Sequence, residues 1–285
     1  MSASITQLRD WTARHPRLFV LTGAGVSTAS GIPGYRDHAG QWQRTPPVTH
    51  QEFTRSAAIR RRYWARSAIG FPVMADAQPN AAHRALAHLE RAGCIAHLVT
   101  QNVDGLHQLA GSVGVSELHG SIRQVVCLDC GAVSARAHLQ QRLLVHNPQL
   151  AARTASPAPD GDAGLEGSFD DVAVPPCEAC GGILKPDVVF FGAGVPRARL
   201  DATLAALETA DAMLVAGSSL MVYSGYRFCL RAQALGKPVA AINQGRTRAD
   251  ALFELKVEQD CATVLQQLLG APRAAGFSAL NSSIN

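Results

Sequence analysis

Four of the seven cysteines stand in two pairs of identical spacing, Cys127-Leu-Asp-Cys130 and Cys177-Glu-Ala-Cys180, each followed by glycine. This is the pattern of a zinc knuckle, in which backbone N–H groups point at thiolate sulfur. Four thiolates satisfy tetrahedral Zn²⁺ and leave no position open for catalysis, so the expected ion is structural. The alternative is four unliganded buried cysteines. The separation between the pairs exceeds that of a usual zinc ribbon, so the intervening chain must be looped out. Cys94, Cys229 and Cys261 read most simply as core or strand-end residues.

A different chemistry is suggested by "TQNVDGLH", residues 100–107, which follows the apolar run Ile95-Ala96-His97-Leu98-Val99. Gln101, Asn102 and Asp104 are costly to bury unless something hydrogen-bonds them. A plain turn is the alternative, because Asn, Asp and Gly form loops after many strands. His119 follows "SEL" and precedes Gly120. One histidine among ten is usually structural, but an imidazole with a pKa near 6.5 at a strand end suits general-base work. "GAGVST", after the run Leu18-Phe19-Val20-Leu21, carries glycines that let a backbone approach a pyrophosphate. Thr28 stands where a third glycine belongs, and no acidic strand end follows about twenty residues on. The glycines therefore support a nucleotide, but not a hydride-transfer enzyme.

Positioning these groups requires strands that end together. Apolar runs at 18–21, 95–99 and 115–118, then "DVVFF", "AMLVAGSSL" and "PVAAINQG", read as short strands. Helical composition is found at 4–14, 50–69, 80–92, 197–209 and 225–235, with Asn80 as a cap and Gly93 as a stop. The alternation predicts an α/β fold: a Rossmann-like parallel sheet covered on both faces, with a smaller inserted zinc-binding and helical module. The expected large domain takes 1–120 plus 185–285, with a helical insertion at about 40–90. The zinc-binding module takes 121–184, including a loop in the aperiodic "TASPAPDGDAGLEGSFDD". Ligands bind such sheets at the carboxyl ends of the strands. Five ends carry Gly, Ser, amides, a carboxylate and an imidazole, which makes a ligand site more plausible than five independent turns.

At 285 residues and 47% hydrophobic, the chain can bury a large domain plus a module. A net charge of +4 is too small to imply nucleic-acid binding, and Arg60-Arg61-Arg62 reads as a solvated helix face. No apolar stretch approaches the ~20 residues needed to span a bilayer, and no signal-peptide core precedes the first strand. The expectation is a cytoplasmic monomer with no membrane or nucleic-acid partner, in a compartment where paired cysteines hold metal.

"GAGVSTASGIPGYRD", "TQNVDGLH", "LHG", the two C-x-x-C pairs, "KPDVVFFG", "GSSL" and "INQG" occur in the order found in sirtuins, over about Leu21 to Cys261. "GIPGYR", "RYWARSAIG", "LDCG", "PDGD" and "VYSGYRF" look most like the class II branch. The resemblance implies an NAD-dependent protein lysine deacylase in which NAD⁺ is consumed as co-substrate. Acyl transfer to ADP-ribose would release nicotinamide, and one structural Zn²⁺ would sit apart from the chemistry.

The resemblance also assigns roles. Asp104 would hold the carboxamide of nicotinamide, and Asn102 would fix a water and the ribose hydroxyls. His119 would take a proton from a ribose hydroxyl so that it can attack the imidate. The cofactor would further touch Gly23, Ala24, Gly25, Ser27, Arg36 and Gln101, then Gly217, Ser218 and Ser219, then Asn243, Gln244, Gly245 and Cys261. Tyr35 replaces the Phe of most sirtuins and would keep an aromatic shield over the ribose. The acylated lysine of a protein substrate would meet Val188, Phe190, Phe191, Gly192 and Val222. Tyr63 and Arg66 share one helix face. A similar Y-x-x-R in desuccinylating sirtuins presents a phenol and a guanidinium to an acyl carboxylate, which would favour acidic acyl groups. The alternative for this pair is an exposed helix face. Rival activities are mono-ADP-ribosyl transfer to protein and non-catalytic NAD binding.

Overall fold

The computed structural model describes residues 2–37, 39–43, 47–151, 153, 163–165 and 167–269. Most of the expected loop at 154–171, with its "PDGD", lies outside the described residues.

Strands β1 (Leu18–Thr22), β2 (Ile95–Thr100), β3 (Val115–Glu117), β7 (Ala212–Ala216), β8 (Val239–Ile242) and β9 (Leu255–Val257) form one sheet. Its order is β3-β2-β1-β7-β8-β9 and every pairing is parallel. All residues of β1, β7 and β8 are buried, because helices cover both faces. Alternation along β1 divides the core in two. Leu18 and Val20 pack with Leu8 and Trp11 of α1 (Ile5–Arg14), Leu86 of α4 (Ala81–Arg91) and Val264 of α9 (Cys261–Leu269). Phe19 and Leu21 pack on the other face with Leu207 of α7 (Arg197–Thr209) and Phe228 of α8 (Tyr223–Ala234).

Register sets the level of the strand ends. Thr22 of β1 is opposite Thr100 of β2 and Ala216 of β7; Thr100 is opposite Glu117, and Ala216 opposite Ile242. The turns that begin at Gly23, Gln101, Leu118, Gly217 and Asn243 therefore leave the sheet in one row.

A second, three-stranded sheet has the order β5-β4-β6, with β4 (Gly120–Cys127), β5 (Val133–Ala135) and β6 (Leu184–Val188), all antiparallel. The "DVVFF" run thus differs from expectation. Its first residues belong to this small sheet, where β6 pairs with β4, and its phenylalanines lie beyond the strand. Gly120 (φ +83°) is obligatory directly after His119, because a Cβ there would come within 2.0 Å of the Asp187 carbonyl oxygen.

The helical stretch expected at 50–69 is two helices, α2 (His50–Arg55) and α3 (Ala57–Asp76), separated by Ser56, which caps α3 through its hydroxyl. The second continues past Pro72. Proline there removes the N–H that would bond the carbonyl four residues back, that of Ala68. Gln140, on α6 (Arg136–His146), replaces it: its Nε2 donates to the Ala68 oxygen at 2.7 Å. Asn80 caps α4 as expected, and His83 completes the reciprocal bond to the Asn80 N–H.

Candidate active site

The row of strand ends opens into a cavity of about 700 Å³, within the range of small-molecule sites. Two glycine turns form its floor. A Cβ on Gly23 would lie 2.9 Å from the Gly217 carbonyl oxygen, and one on Gly25 would lie 2.8 Å from the Gly217 Cα. The turns after β1 and β7 therefore touch backbone to backbone, tied by a 2.8 Å bond from Gly25 N–H to the Gly217 oxygen. The second turn ends in Leu220, whose φ of 56° is costly for a branched side chain. Ser218 Oγ accepts from the Leu220 N–H at 3.2 Å and holds that conformation.

Gln101, Asn102 and Asp104 each find hydrogen-bond partners within the protein, whereas His107 bonds through Nε2 alone and its buried Nδ1 has no partner. Asp104, 3% exposed, accepts from Ser27 Oγ at 2.7 Å through one oxygen and from the Leu106 N–H at 2.9 Å through the other. Asn102 Nδ2 donates to the Gly23 oxygen at 3.1 Å and to Ser27 Oγ at 2.9 Å. Gln101 Nε2 donates to Ser218 Oγ at 2.6 Å, joining the second strand end to the fourth. Both amides and the carboxylate line the cavity. A carboxylate offers about four lone-pair sites, so Asp104 has capacity for a ligand donor.

His119 lines the cavity too, and its hydrogen bonds fix its tautomer. Nδ1 lies 2.8 Å from the Gln101 backbone oxygen, which can only accept, so Nδ1 carries the proton. Nε2 keeps its lone pair and accepts from the Ser224 hydroxyl at 2.8 Å. Burial holds the His119 pKa below its ordinary value and the Arg199 charge adds to that, against the bond to Gln101. The ring is therefore a neutral base at neutral pH.

Behind this wall sit two further histidines. His83 Nδ1 accepts from the Asn80 N–H at 3.3 Å, which directs its other nitrogen to Ser27 Oγ, 3.5 Å away. His107 Nε2 lies 2.9 Å from Thr22 Oγ1, and the two rings are 4.8 Å apart. Burial pushes their pKa values down to about 4 for His83 and about 3 for His107.

Gly23, Ala24, Gly25, Ser27, Tyr35, Arg36, Gly217, Ser218, Ser219, Asn243, Gln244 and Cys261 all line the cavity, as do Val188, Phe190, Phe191, Gly192 and Val222. Three expected residues are not among its lining. The Gly245 carbonyl is turned to Lys256 Nζ, at 2.8 Å. Tyr63 is buried among Phe53, Trp64 and Phe190, with ring centroids 5.3 Å away in each case. Arg66 Nε donates to the Ala163 carbonyl at 2.7 Å. The helix turns this pair toward the core of the small sheet, because the aromatic ring is worth more buried than exposed. Residues that sequence reasoning missed include Ser224, which lay inside "VYSGYRF" with no chemistry attached, and His83, hidden by its cap position.

The four knuckle cysteines also meet. Their sulfurs lie within 4.8 Å of one another, with Cys127 to Cys180 at 3.5 Å and Cys130 to Cys177 at 3.8 Å. Thiolates ~2.3 Å from one tetrahedral Zn²⁺ stand ~3.8 Å apart, so the donor set fits that ion.

Comparison with known proteins agrees with this geometry. The model of the "Sir2 family" matches residues 23–224. An NAD-dependent protein deacetylase of Xanthomonas axonopodis pv. citri is 53% identical over 97% of this chain and 94% of its own. The NAD-dependent protein lipoamidase sirtuin-4, mitochondrial, of Bos taurus is 47% identical over 92% of this chain and 84% of its own. A solved structure of Sir2 with a p53 peptide and NAD⁺ superimposes with a TM-score of 0.75 at 27% identity, covering 94% of this chain and 98% of that one. The chain belongs to the Sir2 family.

Proposed function

We propose that the protein is an NAD-dependent protein lysine deacylase whose chemistry is carried by His119, Asn102 and Asp104. The observation that carries the roles is the His119 tautomer: Nδ1–H is committed to Gln101, which leaves the Nε2 lone pair as the base, in contact with Ser224 at the cavity wall. Family membership carries the activity. NAD⁺, when bound, supplies the nicotinamide–ribose bond whose cleavage makes ADP-ribose the acyl acceptor. Asp104, positioned by Ser27 and the Leu106 N–H, would accept from the carboxamide. Asn102 would orient a water and the ribose hydroxyls, and His119 Nε2 would be the final acceptor of a hydroxyl proton. The glycine turns at Gly23–Gly25 and Gly217 would leave the backbone open to the phosphates, and Tyr35 would cover the ribose. Cys127, Cys130, Cys177 and Cys180 would hold Zn²⁺ as a structural ion of the small sheet.

The substrate is an acylated lysine on a protein. The cavity wall that would meet the acyl chain is apolar, formed by Ile32, Val103, Val188 and Phe190. With Arg66 bonded to Ala163, this wall favours neutral acyl chains over acidic ones. The bovine relative's name, protein lipoamidase, accords with a neutral chain. Among the described residues, no helix is long and apolar enough to cross a membrane. Cysteines paired for metal rather than for disulfides support a cytoplasmic setting.

The test is incubation with NAD⁺ and a panel of acyl-lysine peptides, read by mass spectrometry. Nicotinamide and O-acyl-ADP-ribose should form together, and His119→Tyr should suppress the acyl product ~10²-fold or more. ADP-ribosylated protein without deacylation would replace this reading with mono-ADP-ribosyl transfer.

A further inference from the structure

Ser224 is the second residue of α8, where early serines often satisfy the free N–H groups of the helix end. It is not used that way. Val222 occupies the cap position, no side chain caps the helix, and the Ser224 hydroxyl instead reaches His119 Nε2 at 2.8 Å. That nitrogen holds the only lone pair of the ring, since Nδ1–H is given to the Gln101 oxygen. The base assigned above is therefore covered by a hydroxyl, and the serine that carries it lines the cavity.

We propose that Ser224 relays the proton, standing between a ribose hydroxyl in the cavity and His119 Nε2. Ser224 Oγ takes the proton of the ribose hydroxyl while its own proton passes to Nε2. One O–H bond breaks on the ribose and one forms on Oγ; the original Oγ–H bond breaks and an N–H bond forms on the ring. The electron pair left on the ribose oxygen is the nucleophile, and the positive charge rests on the imidazolium. Ser224 ends as a neutral hydroxyl that now accepts from Nε2–H, so both ring nitrogens of the cation are bonded, to Gln101 and to Ser224.

The surroundings make that second acceptor matter. Arg199, on α7, is the charged group facing the ring, and its Nη1 reaches the Leu118 oxygen at 3.5 Å. From β6 the chain continues to Val189, whose N–H donates to the His119 oxygen and brings no charge. Glu117, one residue before Leu118 on β3, is itself held toward its neutral form by burial. Among the described residues, no carboxylate bonds the ring, whose two nitrogens are taken by Gln101 and Ser224. Those neutral groups must steady the imidazolium.

The proposal rests on the deacylase reading, and the experiment separates the two. Ser224→Ala, Ser224→Thr and Ser224→Val are made in the full chain, Thr and Val being nearly isosteric. The His119 ring is first titrated by NMR in ligand-free protein, its signal identified by its loss in His119→Tyr. A hydroxyl bonds the imidazolium more strongly than the neutral ring, so Ser224→Ala should lower the His119 pKa by about half a unit, with Thr close to wild type. Single turnovers with NAD⁺ and an acetyl-lysine peptide then follow. Ala and Val should release nicotinamide as wild type does but form O-acyl-ADP-ribose about tenfold more slowly or worse, and Thr should restore that step. Product formation at the wild-type rate in Ser224→Ala overturns the relay. So does a Thr variant as slow as Val, or a His119 titration that does not move. Wild-type protein that releases no nicotinamide overturns the deacylase reading instead, while the titration still reports on the Ser224 contact.

Discussion

The buried histidine pair should make the protein sensitive to mild acid, by an amount that follows from its environment. His107 is 1% exposed, with its pKa pushed down to about 3, whereas an unfolded-chain imidazole titrates near 6.5. The folded pKa is the lower one, so the unfolded state binds more protons as pH falls. Stability from this group is complete above pH 6.5 and is lost as pH drops toward about 3. At pH 5 the unfolded imidazole is almost wholly protonated and His107 is still neutral. The difference is about 1.5 units at 1.36 kcal/mol each, or ~2 kcal/mol. His83, with a pKa near 4, adds a similar loss. The measurement is urea unfolding at pH 7.5 and pH 5.0, with excess zinc, for wild type and His107→Gln. The glutamine amide can still reach Thr22 Oγ1 but does not titrate. Protonation of the knuckle thiols weakens both proteins equally, so the informative quantity is the difference between their pH-dependent losses. Wild type should lose ~2 kcal/mol more than the variant. Equal losses would refute the claim that His107 is held neutral by burial.

Three further outcomes are expected. Purified protein should carry close to one zinc per chain, and Cys130→Ser should unfold the small sheet first, seen as protease cleavage there; less than about half an equivalent of metal would contradict a structural site. Arg66→Ala should change kcat/KM for glutaryl-lysine and acetyl-lysine peptides by the same factor, because the guanidinium is bonded to Ala163 outside the cavity; a selective loss of ten- to a hundredfold on the glutaryl peptide would restore the carboxylate-binding role. Gln140→Met should cost about 1–2 kcal/mol in the native chain and almost nothing in a Pro72→Ala background, where the helix can satisfy the Ala68 oxygen itself; calorimetric melting of the four proteins gives the coupling.

Much of the cavity lining was legible because strand ends leave a local mark. Gly23 to Gly25, Gln101 to Asp104, Gly217 to Ser219 and Asn243 each follow an apolar run, and a small or polar residue just past a buried strand is conspicuous. Side-chain direction on helices was not legible in the same way. Tyr63 and Arg66 share a face, but only packing decides which way that face looks, and Phe53 and Phe190 draw it inward. Strand partnership was equally hidden: "DVVFF" draws the eye as an apolar run, yet the strand that forms is the earlier and more polar Leu184–Val188, which joins the antiparallel sheet. Ser224 escaped notice because a serine early in a helix has an ordinary explanation, and only the 2.8 Å contact with His119 removes it.

One irregularity in the large sheet bears on how the family can vary in length. Between Leu18 and Phe19 the pairing of β1 with β2 skips a residue, so Leu18 faces Ile95 but Phe19 faces His97. The extra residue, Ala96, is absorbed at the entry to the sheet, and from Phe19 onward the strands run in step to Thr22 and Thr100. The slack is stored at the end remote from the cavity. A residue gained or lost near Ala96 alters only that bulge, whereas one gained or lost between Leu98 and Thr100 shifts Gln101, Asn102 and Asp104 by a full ~3.3 Å step and reverses the faces of the strand. The sheet works as a ruler whose zero mark lies at the cavity, and tolerance to insertion should therefore grow with distance from it.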